Sequence, residues 1–169
     1  MKCSTGFPPI VGAGASVLVL GSLPSQKSIQ TSEYYAHPQN AFWRIMGRLF
    51  GAGPGDSYQQ RTASLISNGI AVWDVLASSV RPGSMDSDID LSTARPNDFA
   101  SFFEANAAIE LVCFNGKKAA GMFEDLVLAE HPELRSGREF ETLPSSSPAY
   151  ASMPFEEKLA KWTIVLRRA

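Results

Sequence analysis

A chain of 169 residues with 44% hydrophobic and 19% charged side chains suits one folded domain with a full core, and its net charge of −2 excludes bulk coating of nucleic acid, which needs clustered Lys and Arg. No run approaches the roughly 18 apolar residues of a membrane span, and the N-terminal "MKCSTGFPPI" lacks a secretory signal's apolar stretch, so a cytoplasmic protein is expected. Two cysteines and two distant histidines offer neither a disulfide framework nor a metal-ligand cluster; no metal and no cofactor are expected.

In chain order, "SVLVLG" from Ser16 reads as a strand buried on both faces. The segment "LGSLPSQKSIQTSEYYAHPQN" follows, about twenty residues where an α/β unit usually has two to six. Helical patterns cover Asn40–Gly51 and Ser57–Ser67, before a second buried strand, "IAVWDV" from Ile70, and its loop "WDVLASSVRPGSMDSD". A helix over Asp98–Asn106, a third strand "IELVCF" from Ile109, the turn "FNGKKA" and a helix over Lys117–Glu130 come next. The fourth strand, "REFETLP" from Arg138, alternates in polarity as an edge strand does. The loop "LPSSSPAYASMP" and a helix over Pro154–Arg168 end the chain. The alternation predicts a single three-layer α/β/α domain, residues 1–169, around a central four-stranded parallel sheet.

Open parallel sheets bind ligands beyond the carboxyl ends of their strands. All four unusual segments leave from those ends, so one rim is expected to carry the site. The chain has no GxSxG elbow and no SxxK pair, and the first loop lacks GxGxxG and P-loop spacing. The rim offers Tyr34, Tyr35, Asn40, Asp74, Asn115, Ser145, Ser146 and Ser147. Aromatic faces stack on flat heterocycles, amides and carboxylates read their edges, and serines with backbone N–H groups hold phosphates. A nucleobase is the ligand this chemistry suits. The same residues also serve as core packing, helix caps and turns, and Asn40 before a helix is a natural N-cap. Lys27, Arg44, Arg48, Arg81, Lys117 and Lys118 lie in or beside these loops, as a local patch or a solvated face.

The blocks "VLVLGSLPSQKS…YYAHPQNAFWRIM", "GIAVWDVL…RPGSMDSDI", "FNGKKA" and "LPSSSPAYA" together resemble the uracil-DNA glycosylase superfamily, most closely its hypoxanthine-DNA (deoxyinosine) glycosylase branch. They run in order over most of the chain. The resemblance implies a monofunctional glycosylase, taken as a monomer, that extrudes a deaminated base from DNA and hydrolyses its N-glycosidic bond without metal or cofactor. Extrusion costs a few kcal/mol, least for a mispaired base.

Carried over by position, Tyr35 stacks on the flipped base and Asp74 reads its edge, with Gly21 and Ser22 lining the base site. Asn40 and Asn115 match the branch's two asparagines. Asn40 is the stronger catalytic candidate, placing water and stabilising oxocarbenium charge through its carbonyl. Ser145, Ser146, Ser147 and Pro148 match the loop that pinches backbone phosphates, Lys117 adds charge, and Tyr150 either wedges into the vacated stack or packs on its loop. Leu23 stands where many relatives carry a water-activating Asp or Asn, and Leu143 where the last motif often begins with His. Those departures keep open a non-catalytic module binding damaged DNA, and a hydrolase of free nucleosides or nucleotides acting in the same pocket is a further alternative.

Overall fold

The computed structural model describes residues 2–168. Its elements are β1 (Cys3–Thr5), β2 (Val17–Gly21), α1 (Gln26–Thr31), α2 (Phe42–Phe50), α3 (Tyr58–Ser67), β3 (Ile70–Asp74), β4 (Leu76–Val80), β5 (Arg95–Pro96), α4 (Phe99–Ala105), β6 (Leu111–Asn115), α5 (Lys117–Phe123), β7 (Glu139–Leu143) and α6 (Phe155–Trp162). The four expected strands form one parallel sheet in the order β3-β2-β6-β7, with the polar β7 at its edge. Every residue of β2, β3 and β6 is buried, as continuous apolar runs require when both faces of a sheet are covered.

Register decides which side chains share a face. Leu20 pairs with Trp73 and Phe114, and Gly21 pairs with Asp74. Successive side chains alternate faces. Trp73 and Phe114 accordingly meet one aromatic cluster, with Phe99 and Phe102 of α4 and Phe123 of α5. Asp74 and Asn115 take the other face, where Tyr35 stacks on Phe42 and Phe42 meets Trp162. The two aromatic sets lie on opposite sides of the sheet, which makes the three layers.

Four features depart from the sequence reading. The segment expected to be a loop after β3 contains β4, which pairs antiparallel with β1 and β5 as a second, three-stranded sheet. Its "LASSV" is too polar to register as a strand, and its partner β1 is three residues at the far end of the chain. Within the long opening segment, Ser25 caps the short helix α1 by accepting from Ser28 N. The helix expected over Lys117–Glu130 is regular only to Phe123 and continues as a wider π turn over Glu124–Leu128. Likewise α6 tightens into a 3₁₀ turn over Thr163–Arg167. No helix among the described residues is long and apolar enough to cross a membrane.

Candidate base-binding site

The aligned ends of β2, β3 and β6 and the loop after β7 enclose a cavity of about 490 Å³. Gly21, Ser22, Tyr35, Asn40, Asp74, Asn115, Ser145, Ser146, Ser147, Pro148 and Tyr150 all line it. Of the expected site residues, Lys117 alone does not: it is exposed in the first turn of α5. Among the described residues no group of three or more His, Cys, Asp or Glu side chains is arranged to hold a metal ion.

Tyr35 is bent into place. Its φ of 54° is left-handed, a conformation costing a bulky residue roughly 1 kcal/mol or more. Its ring lies on Phe42, centroids 4.1 Å apart at 27°, so one face is backed by the core. The hydroxyl reaches the end of β2 and has no hydrogen-bond partner among the described residues. Burial, then the nearby Asp74 carboxyl, push it well above the ordinary phenol range, and it stays an O–H donor. Gly21 makes room: a Cβ there would stand 2.5 Å from Asp74 Oδ1 and 2.9 Å from Tyr35 Oη. The glycine is required by close approach of side chains.

Asp74 ends β3 at 4% exposure, and its carboxyl accepts no hydrogen bond from the described residues, with Oδ2 enclosed. Burial first, then the Asp86 carboxylate, push the Asp74 carboxyl up to about 7, against a downward pull from Arg81. Asp86 is held on the cavity wall by the Ser22 hydroxyl. Arg81 corrects the expectation of a surface charge: it is 2% exposed and donates to the carbonyls of Leu23 and Pro24. It clamps the first loop from beneath. Leu23 itself is buried in the core, with its side chain among the apolar residues.

Asn40 Oδ1 accepts from Phe42 N at 2.9 Å, so the side chain does bond to the start of α2, although the N-cap position is Ala41. The "HPQN" turn is closed by Asn40 N donating to His37 O and Gln39 N donating to His37 Nδ1. Asn115 is used differently. Its Nδ2 donates to Ser146 Oγ and its Oδ1 accepts from Ser146 N, both at 2.8 Å. Ser146 O in turn accepts from Ala41 N at 2.9 Å. One serine thus ties the fourth loop to the ends of β6 and of the first loop. Gly116, at φ 98°, lets Ser145 pack against the backbone, since a Cβ would stand 3.1 Å from the serine's own.

The sequence reading missed Asp86 and Met85. Both come from "RPGSMDSD", a polar stretch leaving the same rim, but nothing local shows that the second sheet folds it back over the cavity. Met85, 55% exposed, and Tyr150, 40% exposed, stand among the cavity-lining residues as large apolar groups in contact with solvent. Among the described residues no Lys or Arg lines the cavity. Its carboxyl groups are those of Asp74 and Asp86, a setting that disfavours an anion inside and suits an uncharged flat ring.

Comparison with known proteins agrees with this architecture. Residues 8–167 match the family described as the uracil DNA glycosylase superfamily. A protein of Methanosarcina acetivorans named hypoxanthine DNA glycosylase is 37% identical over 163 residues, 96% of this chain and 97% of its own. A namesake from Methanosarcina barkeri is 37% identical over 145 residues, 85% of this chain and 86% of its own. The solution NMR structure of a candidate uracil DNA glycosylase from Methanosarcina acetivorans superposes with a TM-score of 0.79 at 34% identity, covering 98% of both chains. The chain therefore belongs to the uracil DNA glycosylase superfamily.

Proposed function

We propose that the protein is a monofunctional DNA glycosylase acting in base excision repair, releasing deaminated bases from DNA with hypoxanthine first and uracil and xanthine as secondary bases. The observation that carries this reading is the cavity: a space large enough for a nucleobase and, among the described residues, free of Lys and Arg, with an aromatic face on one side and an unpartnered carboxyl at its end. The names of the relatives point to the same substrate. A free nucleotide would have to bring its phosphates beside Asp74 and Asp86, whereas an extruded nucleotide leaves them outside.

In this reading the base enters against the exposed face of Tyr35 and meets Asp74 at its edge. The bond between C1′ and the base nitrogen breaks with its electron pair leaving on the base, a water oxygen bonds to C1′ and gives up one proton, and the departing base takes up one proton in its place. Asn40 is fixed by Phe42 N but keeps a second lone pair on Oδ1 for that water or for developing positive charge. Asn115 acts through Ser146 as a positioning residue, holding the serine-proline loop where its hydroxyls and amides meet phosphates. Tyr150 is the wedge from that loop. Duplexes carrying inosine, uracil or xanthine, incubated with the protein and then treated with alkali, should break at inosine. Intact strands for every base would refute the reading.

A further inference from the structure

Asp74 poses a problem that base recognition by a carboxylate does not solve. An ionised carboxylate only accepts hydrogen bonds. The edge of hypoxanthine presents a ring N–H beside a carbonyl, and so do uracil and xanthine. A carboxylate answers the N–H but sets a full negative charge against the carbonyl.

We propose that Asp74 meets the base as a neutral carboxylic acid, whose O–H donor and C=O acceptor together complement a lactam edge, and that this form selects lactam bases. The inference rests on the glycosylase reading and deepens it. Four features of the geometry carry it. The carboxyl is buried at the end of β3 and receives no hydrogen bond from the described residues. Asp86, held by Ser22 on the wall of the same cavity in the loop after β4, opposes a negative charge on Asp74. The nearby cation, Arg81, directs two guanidinium nitrogens at the Leu23 and Pro24 carbonyls. The phenols on the remaining side do not compensate: Tyr34 donates to Pro8 O at 3.0 Å, and Tyr35 Oη has no hydrogen-bond partner among the described residues.

A buried carboxylate without hydrogen bonds, beside a second carboxylate, takes up a proton. Its rise to about 7 follows from the same surroundings. A carboxyl held neutral near pH 7 so that it can donate is an established device of catalytic sites. The torsion about Cβ–Cγ is soft, so the group can turn both oxygens to an arriving edge.

The test follows single-turnover base release from an inosine duplex between about pH 6 and about pH 9 at constant ionic strength, in the wild type, Asp86→Asn and Asp74→Asn. The wild-type rate should fall about tenfold per pH unit above a midpoint near 7. Asp86→Asn, with one carboxylate fewer beside Asp74, should move that midpoint down. The lactam N–H itself ionises in alkali, so the limb belongs to Asp74 only if Asp74→Asn abolishes it, leaving the two ends of the range within about twofold of each other. A wild-type rate that is flat or rises through neutrality, or an alkaline limb that survives in Asp74→Asn, overturns the proposal. A ¹³C titration of the Asp74 carboxyl needs no turnover. A midpoint at the ordinary carboxylate value overturns the proposal even if bases are released, whereas a midpoint near 7 in a protein that releases no base overturns only the glycosylase reading.

Discussion

Asn40 and Asp74 each combine a structural role with a chemical one, and substitution separates the two. Asn40→Ala removes the bond to Phe42 N, which should cost about 1 kcal/mol of stability, and should slow base release on the order of 10²-fold. Asn40→Asp keeps an oxygen for Phe42 N, so unfolding measurements on the pair assign the stability term. An unchanged rate in folded Asn40→Ala would remove the residue from the mechanism. For Asp74 the sign follows from its folded value of about 7, above the roughly 3.9 of an unfolded chain. A carboxyl raised on folding gives its full stability below the unfolded value and loses it as pH rises through the folded one. Asp74→Asn should therefore be more stable than wild type at about pH 8, on the order of 4 kcal/mol, with little such gain near pH 4. Urea denaturation at both pH values checks it, and an equal difference at the two would sink the burial argument. The type and position of both residues were legible in the sequence. The neighbour that decides the behaviour of Asp74 was not, because Asp86 reaches it only through the fold of a separate loop.

At the scale of elements, the serine-proline loop has no regular structure of its own, and its shape comes from bonds to its neighbours. Asn115 and Ala41 hold Ser146, and Trp162 Nε1 donates to Pro144 O at 2.9 Å from α6. Asn115→Ala leaves the buried Ser146 N–H and hydroxyl without those partners, which should cost about 1–3 kcal/mol and weaken DNA binding while leaving free-base binding less affected. Thermal unfolding and titrations with inosine DNA and hypoxanthine would read both, and unaltered DNA affinity would refute the positioning role. The first loop is likewise fastened from outside, by Arg81 beneath Leu23 and Pro24. In the sequence both loops announce themselves by composition and length. Their fastening does not show there, since each bond joins residues tens of positions apart.

Across the whole molecule, the net charge of −2 predicts that few phosphates are neutralised on binding. Log–log plots of DNA affinity against salt should then have slopes shallower than about −4, each neutralised phosphate contributing about −0.9. A steeper slope would reveal a cationic track that the cavity does not include. The sequence by itself determined the parallel sheet, because continuous apolar runs alternating with amphipathic segments have few other ways to bury both faces. It determined as well that the polar strand ends would gather on one rim, since parallel strands all finish on the same side. Only the tertiary structure decided which polar side chains meet there. The register of Gly21 with Asp74, the antiparallel sheet that brings Asp86 to the cavity, and the burial of Arg81 arise from pairings between distant segments. Those contacts leave no local pattern in the chain, and they set the charge and the hydrogen-bonding capacity of the pocket.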